Sequence, residues 1–120
     1  MLTVSTWMTR RLFTLGPEAS LADAMELTRT HRIRHVPILS NDRLVGIISD
    51  RDLKRAVPNA LCEITKEKFE ATVAGTKLRQ IMKSDVVTVK PDTPIIHAVE
   101  QMLQLRIGCL PVVEDDRQVG

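Results

Sequence analysis

The stretch RIRHVPILSNDRLVGIISDRDL, Arg32 to Leu53, decides the fold. Val36-Pro37-Ile38-Leu39 is a short apolar run suited to a strand, and Ser40-Asn41-Asp42-Arg43 is a polar turn. Leu44-Val45-Gly46-Ile47-Ile48 reads as a second strand, and a helix follows over Asp50–Ala56. Upstream, Ser20 and Asp23 have the spacing of a capping box, which starts a helix whose apolar positions are Leu21, Ala24, Met25 and Thr28. Before it, Leu12-Phe13-Thr14-Leu15 suits a strand, and Pro17-Glu18 is a turn. The order is β-α-β-β-α.

The same order returns later in the chain. With an offset of 74 residues, positions 7–46 lie over positions 81–120 without a gap, and twelve of the 40 pairs are identical. The identities include Met8/Met82, Pro17/Pro91, Arg32/Arg106, Pro37/Pro111, Asp42/Asp116 and Gly46/Gly120. Turn residues, prolines and apolar pattern recur together, as in two copies of one supersecondary unit. In the second copy Val86–Val89 and Leu110–Val113 are the expected strands. Thr93 is the expected helix N-cap with Pro94 at the first helical position, and Ile95, Ala98, Val99 and Met102 form the apolar face. Leu21, Ala24 and Met25, or Ile95, Ala98 and Val99, should pack under a small sheet in each copy.

Gly120 matches Gly46, so nothing corresponds to Ile47–Leu53 in the second copy. The expectation is that the sequence is truncated here, or that another chain completes the sheet. The chain thus divides into a first unit (1–57), a connector (58–77) and an incomplete second unit (78–120), within one module over 1–120. The connector should carry a short helix over Ile64–Val73, stopped by Gly75.

Composition narrows the function. A chain of 120 residues and 13.5 kDa, 43% apolar and 27% charged, suits one globular domain. A net charge of +2, with Trp7, Phe13 and Phe69 as the only aromatics besides histidine, argues against a nucleic-acid partner. No apolar run is long enough for a membrane span, and the N-terminus lacks a secretory pattern. Cys62 and Cys109 read as reduced thiols, which points to the cytoplasm. Three histidines and two cysteines lack metal-ligand spacing, and no nucleophile–base or phosphate-loop motif is present. Neither a metal, nor a catalytic residue, nor an enzymatic activity is therefore expected.

Ser49-Asp50-Arg51-Asp52 is the most informative polar stretch. It lies where a strand runs into a helix, whose free N–H groups attract phosphate. Arg51 could add a charged fork, and the Asp52 carboxylate could accept from two ribose hydroxyls. Ser-x-x-Asp is equally a capping box. Pro37 and Pro111 each remove a ladder donor, which either leaves backbone groups facing a cleft or marks a sheet edge or bulge. Arg29, His31 and Arg32 suit the last turn of a helix, while Arg34 and His35 on the strand approach are better ligand candidates.

Taken together, Arg32–Leu53 and "RIGCLPVVEDDRQVG" (Arg106–Gly120) resemble a tandem pair of CBS motifs, a Bateman module. Within that family "IRHVPI", "ISDRDLK" and "IGCLPVV" look most like bacterial acetoin-utilisation CBS-pair proteins. The resemblance implies an α/β fold of α+β character, with two pseudo-two-fold-related β-α-β-β-α motifs packed through their sheets. It also implies dimerisation into a flat disc, an unidentified regulated protein as partner, and an adenosine-containing ligand such as AMP, ADP, ATP, S-adenosylmethionine or NAD, none of them obligatory. By resemblance Asp52 holds the ribose, Ser49 assists, and the residues before each proline line the pocket: Arg34, His35 and Val36, with Pro37 beside them, and Gly108, Cys109 and Leu110. The second motif should add an apolar wall near Val87 and Cys109. With no second Ser-x-x-Asp, one nucleotide site per chain is expected. The alternative is a ligand-free structural or dimerisation module.

Overall fold

The computed structural model describes residues 1–58 and 65–120. Cys62 and the expected helix start at Ile64 lie outside the described residues. In order, the elements are α1 (Val4–Trp7), α2 (Leu21–His31), β1 (His35–Ser40), β2 (Arg43–Ser49), α3 (Asp50–Ala56), α4 (Lys66–Gly75), a 3-10 turn (Leu78–Gln80), α5 (Ile95–Leu105), β3 (Val113–Glu114) and β4 (Arg117–Gln118). The four strands form one antiparallel sheet in the order β1-β2-β4-β3. This is an α+β fold.

Local chemistry explains each hairpin. Asn41 and Asp42 have φ of 51° and 66°, and Asp115 and Asp116 have φ of 51° and 65°. A two-residue turn with both φ positive matches the twist of its flanking strands, and Asn and Asp tolerate that conformation. The two hairpins meet where Arg43 pairs with Arg117, which are equivalent positions of the repeat. The pseudo-two-fold axis passes between them. At the ends of α2 and α5, Arg32 and Arg106 adopt left-handed caps with φ of 53° and 55°, again equivalent positions.

Several expectations change. Leu12–Leu15 and Val86–Val89 are not strands; each contributes one parallel bridge, Leu15 to Ile38 and Val89 to Val112. The second hairpin is shorter than expected, with β3 confined to Val113–Glu114. Thr93 does not cap α5: its hydroxyl accepts from the Lys90 N–H, and Pro94 occupies the N-cap. The connector helix runs over Lys66–Gly75, and Gly75 is its last residue rather than a left-handed stop. Val99 is 43% exposed, unlike Ala98.

The two copies exchange their leading segments. Residues 2–8 dock on the second copy: Val4 N–H donates to Thr93 O, Ser5 N–H to Pro91 O, and Leu2 O accepts from Ile95 N–H. Residues 76–83 dock on the first in the same way: Leu78 N–H donates to Ala19 O, Arg79 N–H to Pro17 O, and Thr76 O accepts from Leu21 N–H. Every bond in one set has its counterpart 74 residues away in the other. Leu78 thus completes the first core with Leu21, Val36, Ile38 and Ile48, all fully buried, and Val4 completes the second with Val89, Ala98 and Val112.

Two glycines accept the exchanged methionines. A Cβ on Gly46 would lie 2.5 Å from Met82 Sδ, and one on Gly120 would lie 2.6 Å from Met8 Sδ. Gly46→Ala should therefore displace Met82 and destabilise the fold by about 1–3 kcal/mol. In chemical denaturation the Gly46→Ala/Met82→Ala pair should lose clearly less than the two single losses added together.

Candidate functional site

A cavity of about 620 Å3 opens between the two copies. Four segments build it. The β2–α3 junction supplies Ser49, Asp50, Arg51, Asp52 and Arg55, and the approach to β1 supplies Arg34 and His35. The exchanged segment supplies Lys83, Asp85, Val86 and Val87, and the end of α5 with its following loop supplies Leu105 to Cys109. Backbone bonds hold these walls together: Lys83 and Ile47 exchange N–H···O bonds of 2.9 and 3.0 Å, and Asp50 N–H donates to Arg34 O at 2.8 Å.

Eight sequence-predicted residues line this cavity: Arg34, His35, Ser49, Arg51, Asp52, Val87, Gly108 and Cys109, while Leu110 lines a second one. Val36 and Pro37 do not line the first. Val36 is fully buried in the first core. Pro37 faces the second cavity, of about 340 Å3, along with Trp7, Met8, Phe13 and Met102. Its carbonyl accepts from Leu15 N–H, as Pro111 O accepts from Val89 N–H. Pro37 and Pro111 both stand beside a single parallel bridge at the sheet margin and both line a cavity, Pro37 the second and Pro111 the two of them. No carboxylate lines the second cavity among the described residues.

The helix start is less open than the sequence implies. Ser49 Oγ accepts from Asp52 N–H at 3.1 Å, and Asp52 Oδ2 accepts from Ser49 N–H at 3.0 Å, so the capping box is formed. With Asp50 N–H bound to Arg34 O, three amides expected to face phosphate already have partners. The anion donors of the cavity are side chains instead. Asp52 is half-buried, and Oδ1 makes no hydrogen bond among the described residues, so cap and ligand anchor can coexist on one carboxylate.

Lys83, Asp85, Arg55 and Arg106 line the cavity but were not expected from the sequence. The identity of Met8 and Met82 in the repeat was a signal that the segments before each first bridge pack alike. It did not say that they pack on the opposite copy. His31, expected only to complement a helix end, stacks on Phe13 with centroids 3.9 Å apart.

His35 lies against Gly108 of the second copy, where a Cβ would be 3.5 Å from the ring. Burial pushes the imidazole pKa below its ordinary value and Arg34 lowers it further, against the opposing pull of Asp50 and Asp52. Burial likewise raises the Cys109 thiol, which keeps it protonated and neutral.

Comparison with known proteins follows the repeat. The CBS domain family matches residues 4–59 and 78–120. A CBS domain-containing protein of Dictyostelium discoideum is 31% identical over 108 residues, which are 89% of this chain and 74% of that protein. A crystal structure described as an acetoin utilization protein from Vibrio cholerae is 39% identical, with a TM-score of 0.81 over 100% of this chain and 82% of that one. The CBS domain pair of protein MJ0100, solved with 5-methylthioadenosine and S-adenosyl-L-methionine, is 28% identical, with a TM-score of 0.80 over 99% of this chain and 86% of that one. The chain spans about a fifth of the length of the homoserine O-acetyltransferases and inosine-5'-monophosphate dehydrogenases that it also matches.

The lowered His35 pKa has a pH signature. The unfolded chain protonates this residue near 6.5, while the folded chain resists until lower pH. Its contribution to stability is therefore constant above 6.5 and erodes as pH falls through the lowered folded value. Denaturation midpoints measured between about pH 7 and pH 5 should drop less in His35→Gln than in the parent. An NMR titration should show the imidazole ionising below 6.5.

Proposed function

Because the chain belongs to the CBS domain family, we propose that it is a non-enzymatic regulatory module that senses an adenosine-containing ligand in the 620 Å3 cavity. One observation carries this reading: both copies build the cavity. Ser49 and Asp52 come from the first, and Val87, Ile107 and Cys109 from the second. A ligand touching both walls favours the relative orientation in which they fit it, and a partner protein can read that shift. The volume lies in the range of small-molecule sites. The MJ0100 pair, of the same fold, was solved with two adenosine-containing molecules.

Asp52 is the proposed ribose anchor, with Ser49 assisting, and the apolar walls at Val86, Val87 and Ile107 suit the base. One nucleotide per chain, anchored at Asp52, is proposed. Calorimetry with AMP, ADP, ATP, S-adenosylmethionine and NAD should give at most one site per chain for whichever binds. A ligand at 100-fold excess over Kd should add ~2.7 kcal/mol of stability. Asp52→Asn keeps an acceptor for Ser49 N–H but loses the charge. It should preserve the fold and weaken binding roughly ten- to a hundredfold, at ~1.4 kcal/mol per factor of ten. Two equal sites, or unchanged affinity in Asp52→Asn, would overturn this placement. No binding at all would favour a structural module.

A homodimer is part of the same proposal. Ile96, Val99 and Leu103 run along the outer face of α5 with exposures of 57%, 43% and 74%. An apolar stripe of that kind suits burial against a second copy. Light scattering at tens of micromolar should give twice the 13.5 kDa chain mass, and Leu103→Glu should shift it toward the monomer. The proposed setting is the cytoplasm, where the half-buried Cys109 thiol stays reduced.

A further inference from the structure

Resting on that reading, we infer that the cavity selects ligands with an anionic phosphate tail over those with a cationic sulfonium, and that Lys83 and Arg106 are the specificity residues on the second wall. The cavity is lined by five permanent cations, Arg34, Arg51, Arg55, Lys83 and Arg106, against three carboxylates, Asp50, Asp52 and Asp85.

Among the described residues the cavity cations form no ion pair; the pairs there are Lys66–Glu70, Lys77–Glu18 and Arg79–Glu18. The carboxylates are partly committed: one oxygen of Asp52 accepts from Ser49 N–H, and Asp50 and Asp52 both face His35. A phosphate tail would bring the missing negative charge, and the guanidinium forks match its oxygens. A net positive ligand would meet a cavity already carrying an excess of positive charge.

The placement of the cations adds regulation to selectivity. Arg34, Arg51 and Arg55 stand on the first copy, and Lys83 and Arg106 on the second. Across an empty cleft these groups repel one another, and an anion between them converts that repulsion into attraction to a shared centre. A neutral nucleoside occupies the same apolar walls without this effect. The phosphate tail, more than the adenosine, then sets how tightly the two copies are drawn together. Lys83 suits this role because its backbone is pinned to Ile47 by two hydrogen bonds, so the flexible side chain starts from a fixed point on the cleft wall.

Calorimetry on the full chain at low ionic strength, with adenosine, AMP, ATP and S-adenosylmethionine as probes, tests this. Affinity should rise from adenosine to AMP to ATP, with S-adenosylmethionine weaker than AMP. Added salt should weaken ATP binding and leave adenosine binding almost unchanged. Lys83→Gln and Arg106→Gln should each weaken ATP roughly three- to tenfold without changing adenosine affinity, and Lys83→Arg should restore it. Unchanged melting temperatures would show that these exposed substitutions leave the fold intact. Equal affinities for adenosine and ATP, tighter binding of S-adenosylmethionine than of ATP, or equal losses for adenosine and ATP in Lys83→Gln would overturn the inference while leaving the adenosine reading standing. Failure of all four probes would instead overturn the reading on which it rests.

Discussion

The exchange of leading segments is the constraint on which the rest of this structure depends. A helix start leaves N–H groups without partners inside the helix. Leu21 N–H finds Thr76 O and Ile95 N–H finds Leu2 O, each supplied by the segment leading into the other copy. Leu78 and Val4 then fill the base of cores that would otherwise be open. Neither copy can satisfy its own helix start or close its own core. The two are therefore one cooperative unit, although the sequence reads as two.

This exchange also makes the cleft. By pinning Lys83 to Ile47, it brings the second copy's approach segment alongside the first copy's Ser49–Asp52 turn. The walls are held by backbone bonds, while the charged side chains between them are left without ion-pair partners among the described residues. A rigid frame with adjustable charges suits binding that depends on the charge of the ligand. The capping box fits the same division of labour, because it fixes the start of α3 with one carboxylate oxygen and leaves the other to the cavity.

The copies share backbone geometry but differ in chemistry. Paired positions carry the same left-handed caps, the same turn conformations and the same proline carbonyl contacts. Their side chains diverge where function would act: Arg34 and His35 correspond to Gly108 and Cys109. Small residues on one wall give the His35 ring room to lie across the cleft against Gly108. The first cavity is lined by eight charged side chains, and the second carries Arg11 among mostly apolar neighbours.

The sequence by itself determined the repeat, the hairpins, the span of α3 and the capping boxes of α2 and α3, because each is written in residues close together along the chain. Asn41-Asp42 and Asp115-Asp116 specify their turns locally, and Ser49 with Asp52 specifies its own cap. The Ser49–Asp52 end of the cleft was legible for the same reason. Only the tertiary structure decided that Val36 is core and Pro37 faces the other cavity, since strand alternation and the sheet edge depend on what packs outside. It alone placed Lys83 and Arg106 on the cleft wall and spent the amides at the start of α3 on internal partners. Periodicity records which face of an element is buried but not which copy buries it. A segment swapped across a pseudo-two-fold axis leaves the same local pattern as one that folds back on its own unit, and only the long-range hydrogen bonds tell them apart.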